Sequence, residues 1–523
     1  MTARLRNVAR AAGATALLLA VATACGGGGS TGDSGAGAAD TLAIGLQMSL
    51  PSMNPVLSPI SPTLVYAYDP LIYRTNNGKY VPDLATSWGY AGKGNKTFEL
   101  TLRKGVKFAD GTALTAQAVK NSVDYFLKTP NPNLAAAGPI SAVRAVDTDT
   151  VRITYKSAFP NAVESLTQFW GVGLIIGPHG LAAPKSLETA SDGVGQYALD
   201  SANTRVNSVY TFTAAKNYFD PSAIQYKKIE IRPYASASAR LNALKSGQIQ
   251  DATQIPLGQL GSSAADGYQQ FTGQGTWDIL SFLDTSSGPL ADKAVRQAIS
   301  YGVDRAAIAK DFYAQLATPQ YQFAPKNTAD YTASLDSAYP NDTGKAKQLL
   351  SEAGYSGGFT LKLLTDGTTD PGGSLAQVLK SQLAKIGITV QLTVNSGTFA
   401  QFQTRLGSGD YGAVLFNLAA VDLYSTATQS IVSPKTLLNP STKADATAVS
   451  LLAQAAGADG ASAVTAKLRQ LNTYLTEQAL GVPLVTRTNV DLVGTGVKLP
   501  STSYVTPMPS MIGPDASYAF TSK

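Results

Sequence analysis

From Tyr80 to Lys128 the hydrophobic positions follow first one period and then another. Phe98, Leu100 and Leu102 interleave with Glu99, Thr101 and Arg103, the alternation of a half-buried strand. Asp110-Gly111 then marks a turn, and Thr115 stands as N-cap of a helix whose Val119, Val123, Phe126 and Leu127 share one face. The same pair of periods returns later. Lys345 to Tyr355 reads as an amphipathic helix stopped by Gly354, and Phe359 to Leu364 as a strand. Leu375, Val378, Leu379 and Leu383 mark one face of a helix ended by Gly387, and Ile388 to Val394 is a second strand. Further strands are predicted at Leu42 to Leu46 and Tyr411 to Leu418. Helices alternating with strands predict an α/β fold with a buried sheet.

The N-terminus has a different pattern. Arg4, Arg6 and Arg10 precede a short apolar core, Ala11 to Ala22, and Ala22-Thr23-Ala24-Cys25 closes it. This is the layout of a signal peptide over residues 1–24, too short to span a bilayer as a mature helix. Gly26 to Ala39, rich in glycine and serine, reads as a flexible linker following Cys25, so that residues 25–40 form a tether. The body has no further long apolar run.

Composition narrows the rest. About 480 residues follow the tether, too many for one hydrophobic core and suited to two lobes. The formal charge of +6 falls to about +3 without the three leader arginines, and no Lys/Arg cluster suits a nucleic acid. Cys25 is the only cysteine, so the body is held without disulfides.

Several spellings of catalytic motifs fail on context. Gly354-Tyr355-Ser356-Gly357-Gly358 spells a nucleophile elbow, but here the helix precedes the serine and the strand follows it. The chain has one histidine, His179, in a predicted loop, so a hydrolase built on Ser356 has only that base. Gly407 to Gly412 spells a dinucleotide fingerprint, yet it follows a helix and precedes a strand, leaving no helix N-terminus for a pyrophosphate. With one histidine and one cysteine no soft-ligand metal cluster is expected, and no cofactor.

Several ordered motifs carry a family resemblance. Pro82, Leu84-Ala85 and Ser87-Trp88 lead to Arg103-Lys104-Gly105-Val106-Lys107-Phe108, Asp110-Gly111 and Thr115. Ala145 to Ile153, Leu241 to Asp251, and Pro289 to Ile299 with Val303-Asp304-Arg305 continue the series. In that order they resemble the family-5 extracellular solute-binding proteins of peptide- and nickel-type ABC importers. The resemblance implies a two-lobed fold like that of periplasmic binding proteins, of type II, with an extra subdomain in lobe I and the ligand cleft between lobes. Lobe I would hold residues 41–275, with the subdomain at about 81–190, and regain the chain at 488–523; lobe II would be 276–487. The segment ending at Cys25 resembles a lipobox, which implies a lipid on that thiol and an exported protein anchored to the outer face of the membrane.

The resemblance also implies a non-enzymatic monomer that captures oligo- or dipeptides for a membrane permease and its ATPase subunits. An oligosaccharide or a metal chelate is the alternative solute, and an exported hydrolase the alternative of another class. Peptide-binding members pair the solute's α-amino group with an aspartate after a lobe II strand, and Asp422 stands in that place. Phe416 or Asn417 occupies the neighbourhood of a family tryptophan. Tyr424, Trp277 and the loop at Asn54, whose Pro51 to Pro55 looks like an early cleft loop of the family, complete the candidate ligand contacts.

Overall fold

The computed structural model describes residues 39–523 except 48–49, 51, 59–62, 132, 257–258, 261–266, 315, 368–371, 420, 441–443, 502 and 506–508. All of these fall in one compact unit, Ala38–Lys523. The leader, Cys25 and the tether as far as residue 38 lie outside the described residues.

The strands that matter are, in chain order, β1 (Ala39–Leu46), β2 (Ile72–Arg74), β3 (Tyr80–Pro82), β4 (Ala85–Tyr90), β5 (Thr97–Leu102), β6 (Ile140–Ala145), β7 (Thr150–Tyr155), β8 (Tyr197–Leu199) and β9 (Tyr210–Ala214). Next come β10 (Tyr226–Pro233), β11 (Asp251–Ala252), β12 (Gln269–Phe282), β13 (Ala317–Pro319), β14 (Phe359–Asp366), β15 (Ile388–Asn395), β16 (Ala413–Ala419) and β17 (Gly481–Val493). The main sheet runs β15-β14-β16-β12-β17-β11-β1-β10-β9-β8. Its first strand opens at Ala39 rather than Leu42, because Ala39 already pairs with Tyr226 in the parallel β1–β10 ladder. The strand expected at Tyr411 opens at Ala413 and runs to Ala419, following its ladder with β12 from Phe282 to Thr276.

Two long antiparallel strands tie the halves together. The β12–β17 register runs from Gln269↔Val493 to Gln274↔Thr488, shifts, and resumes at Trp277↔Thr486. Before the shift the neighbour of β17 is β11; after it the neighbour of β12 is β16. A local irregularity of this kind bends a ladder and increases its twist. β12 and β17 are therefore the strands that connect the β15-β14-β16 side of the sheet with the β11-β1-β10-β9-β8 side.

The predicted alternation survives in the smaller sheet β4-β5-β7-β6. Phe98, Leu100 and Leu102 are buried, with Val119, Val123 and Phe126 of the helix α1 (Ala116–Lys128). Thr115 Oγ1 accepts from Ala118 N at 3.2 Å, the N-cap read from sequence. The remaining helices are α2 (Ala162–Ser165), α3 (Pro178–Ala182), α4 (Ala237–Lys245), α5 (Lys293–Gly302), α6 (Arg305–Ala307), α7 (Thr343–Glu352), α8 (Gly372–Ala384), α9 (Phe399–Leu406), α10 (Leu423–Thr426), α11 (Ala446–Gly457) and α12 (Ala461–Glu477). Buried side chains of α5, α7 and α8 share one core with β14 and β15. Those of α9 to α12 join a second core with Trp277 and Phe323. The family-motif arginines Arg296 and Arg305 are buried clamps on backbone carbonyls, Arg305 on those of Ser300, Gln320 and Pro483. Their place in the motif is structural. No helix among the described residues is long and apolar enough to cross a membrane.

Candidate functional site

Arg74 ends β2, and Glu164 sits on the short helix α2. The Arg74 Nη1 donates to both Glu164 oxygens, at 3.1 and 3.2 Å. Tyr80 Oη donates to Oε2 at 2.9 Å and Trp170 Nε1 to Oε1 at 3.1 Å. The carboxylate is 1 % exposed and so receives all its stabilisation from protein donors. Burial raises the Glu164 pKa, the Arg74 charge works against that rise, and the charge of Asp422 adds to it. For Arg74 burial opposes the charged form, but Glu164, then Tyr80 and Asp422, outweigh it and the pKa rises. The Arg74 Nε is buried without a partner.

Facing these groups is the segment after β16. Asp422 caps α10: Oδ1 accepts from Ser425 N at 2.7 Å and Oδ2 from Ser425 Oγ at 2.8 Å. The Asn161 amide, three residues before Glu164, donates to that same Ser425 Oγ at 2.8 Å. The Phe159 ring meets Tyr424 edge-on at 6.2 Å. Asp330 accepts from Leu423 N at 3.2 Å, and its pKa is raised by burial and by Asp422. The Tyr424 hydroxyl is pushed up to about 12, by burial first and then by Asp422. The cluster thus sets one guanidinium among three carboxyl groups, Glu164, Asp330 and Asp422, an environment that attracts a cation. An ionised carboxylate has about four acceptor positions, so Asp422 can cap its helix and still accept from a ligand ammonium.

The structure brings Asp422 and Tyr424 into this cluster and leaves other candidates apart. Phe416 stacks on Phe402 at 5.6 Å and lies 6.3 Å from Phe399, an aromatic row on the α9 side of β16. Asn417, half-buried, pairs with Asp278 across the sheet. Trp277 is buried edge-on to Phe323, its indole N–H without a partner. Asn54 is 1 % exposed; its amide donates to Tyr125 Oη and its carbonyl oxygen accepts from Val56 N, so it shapes its own loop. Arg74, Glu164, Tyr80, Asn161 and Asp330 were not singled out by sequence reasoning. One signal was available: Glu164 is the only Asp, Glu, Lys or Arg from Ser157 to Pro184.

The catalytic spellings stay apart as well. Ser356 is exposed in the turn between α7 and β14. His179 lies on α3 rather than in a loop, because Pro178 opens a helical turn there. Its side chain is 77 % exposed and stands 3.4 Å from Asp110. No group of three or more His, Cys, Asp or Glu able to hold a metal ion occurs among the described residues.

Residues 79–462 match the family described as bacterial extracellular solute-binding proteins, family 5 middle. Glutathione-binding protein GsiB of Shigella flexneri serotype 5b is 29 % identical over 328 residues, covering 61 % of this chain. The match spans 62 % of that relative's length, less than two thirds. Among solved structures, NikA from Brucella suis in complex with Fe(III)-EDTA is 22 % identical, with a TM-score of 0.77 over 92 % of this chain and all of that one. DppA from Helicobacter pylori in complex with peptide STSA is 20 % identical, with a TM-score of 0.72 over 93 % of this chain and 98 % of that one. Both share the two-lobed α/β fold of the periplasmic binding proteins. With the family matched over most of its length, the chain belongs to the bacterial extracellular solute-binding proteins of family 5.

Proposed function

We propose that this protein is the non-enzymatic, monomeric receptor of an ABC importer, capturing peptides between its lobes and delivering them to a membrane permease. Lobe I comprises 41–275 and 488–523, with the subdomain at about 81–190, and lobe II comprises 276–487; the register shift between Gln274 and Trp277 supports that division. The observation that carries the reading is the meeting of Arg74, Glu164 and Tyr80 from one lobe with Asp422, Tyr424 and Ser425 from the other. A solute ammonium placed there gains Asp422 as a charge-assisted acceptor, inside a cluster whose carboxyl groups outnumber its guanidinium. Contacts made to both lobes favour the closed state, which the permease then recognises. GsiB and DppA, named for glutathione and crystallised with a peptide respectively, support a peptide, while NikA, crystallised with Fe(III)-EDTA, supports a metal chelate as the second solute class. The lipobox-like end of the leader supports an anchor on Cys25.

Calorimetry with tri-alanine and its N-acetyl derivative tests the site. The free peptide is expected to bind at about micromolar Kd or tighter, and acetylation to cost about 2 to 5 kcal/mol. Equal binding of the two would sink the role of Asp422. Mass spectrometry of the mature N-terminus is expected to show diacylglyceryl Cys25; a free thiol there would remove the anchor.

A further inference from the structure

The hairpin between β4 and β5 ends in Ala91-Gly92-Lys93-Gly94-Asn95-Lys96. Gly92, Gly94 and Asn95 all have positive φ, at 77°, 78° and 50°, a left-handed path that glycine and asparagine tolerate. This path carries the loop tip to the far lobe. The Asn95 amide donates to Ala456 O at 2.9 Å and to Ala458 O at 2.7 Å. Gly94 N donates to Asp459 Oδ1 at 2.7 Å. Ala456 lies in the last turn of α11, where backbone carbonyls lack intrahelical partners and the helix dipole is negative. Asn95 therefore caps the C-terminal end of a helix that belongs to the other lobe, and it is 4 % exposed in doing so.

The contact continues inward. Asn95 O accepts from Phe159 N at 3.0 Å, and Phe159 meets Tyr424. A loop of the inserted subdomain thus closes on the α11–α12 corner, through bonds to Ala456, Ala458 and Asp459 rather than to Arg74, Glu164 or Asp422. Together with the Asn161–Ser425 bond, these contacts join the two lobes outside β12 and β17.

We propose that Asn95, Gly94 and Asp459 form a latch that sets the equilibrium between open and closed lobes without touching the solute. It needs the two lobes but no particular solute, and so goes beyond the peptide reading. A receptor whose competent state is only partly populated binds with an affinity reduced by that fraction. Loosening the latch therefore raises the apparent Kd by one common factor for every solute, whereas a change in the cleft alters their ranking.

The test is hydrogen exchange on the full mature chain, with Asn95→Ala on one side of the contact and Asp459→Ala on the other. Two hydrogen bonds of ordinary net strength make the opening equilibrium about tenfold or more larger in Asn95→Ala. Exchange is expected to quicken by that order at Gly94 and at 457–460 in both variants, with the double variant less than additive. Kd values for tri-alanine and glutathione are expected to rise by the same factor. Unchanged exchange in both variants, or a rise for one peptide only, overturns the latch. If neither peptide binds the wild type, the peptide reading fails while the exchange result still decides the latch.

Discussion

Replacing Arg74 by methionine isolates the energetics of the buried ion pair. Glu164 would keep Tyr80 and Trp170 as donors but lose the guanidinium that opposes its burial. A buried carboxylate left without its counter-ion costs about 3 to 5 kcal/mol. Taking up a proton puts a ceiling on that cost. From an ordinary value of 4.5, neutralising the group costs about 3 kcal/mol at pH 7 and less than about 1 kcal/mol at pH 5. Urea denaturation of Arg74→Met is therefore expected to show about 3 kcal/mol of destabilisation at pH 7, most of it gone at pH 5. Adding Glu164→Gln, which removes the charge and keeps the shape, should recover about 2 kcal/mol at pH 7 through a coupling that simple addition misses. A loss below about 1 kcal/mol at pH 7, a loss independent of pH, or strict additivity would show that Glu164 does not depend on Arg74.

The capping role of Asp422 calls for two substitutions. Asp422→Asn keeps a good N-cap and is expected to weaken tri-alanine binding with little change in stability, whereas Asp422→Ala adds about 1 kcal/mol of lost cap; equal denaturation midpoints for the two would refute the cap. Burial raises Asp491 to about 7, although Gln254 N bonds its Oδ1 and Arg240 lies near. Because the folded value lies above the unfolded 3.8, the stability this group contributes is present below about pH 4 and is lost as pH rises toward 7. Asp491→Asn retains the acceptor for Gln254, so denaturation should show it gaining about 4 kcal/mol on the wild type between pH 4 and pH 8; parallel pH profiles would contradict this.

Local periodicity explains what was legible. Phe98 to Leu102 and the helix after Thr115 follow from short-range pattern and a cap, and both formed as expected. The long strand β12 was harder, because Gly273 and Gly275 look like loop residues. They are there for close approach: a Cβ at Gly273 would lie 2.1 Å from the Tyr504 ring, and one at Gly275 2.2 Å from Asn489. Asp422 stood out because a family position marked it. Arg74 and Glu164 did not, since 90 residues separate them and no period links their elements. A pair made by tertiary packing leaves only the faint trace of a lone charge in an uncharged run.

The place of β17 also governs the order in which the molecule can be completed. Strands β11 and β12 do not pair with each other; β17 lies between them and bonds both. A nascent chain that stops short of Gly481 would therefore hold β16 on β12 while leaving the facing edges of β11 and β12 bare. Unpaired edges of this kind invite pairing with other chains. Loss of β17 would open the centre of the sheet instead of trimming its border, and the polypeptide has to be kept from aggregating until that strand has been made.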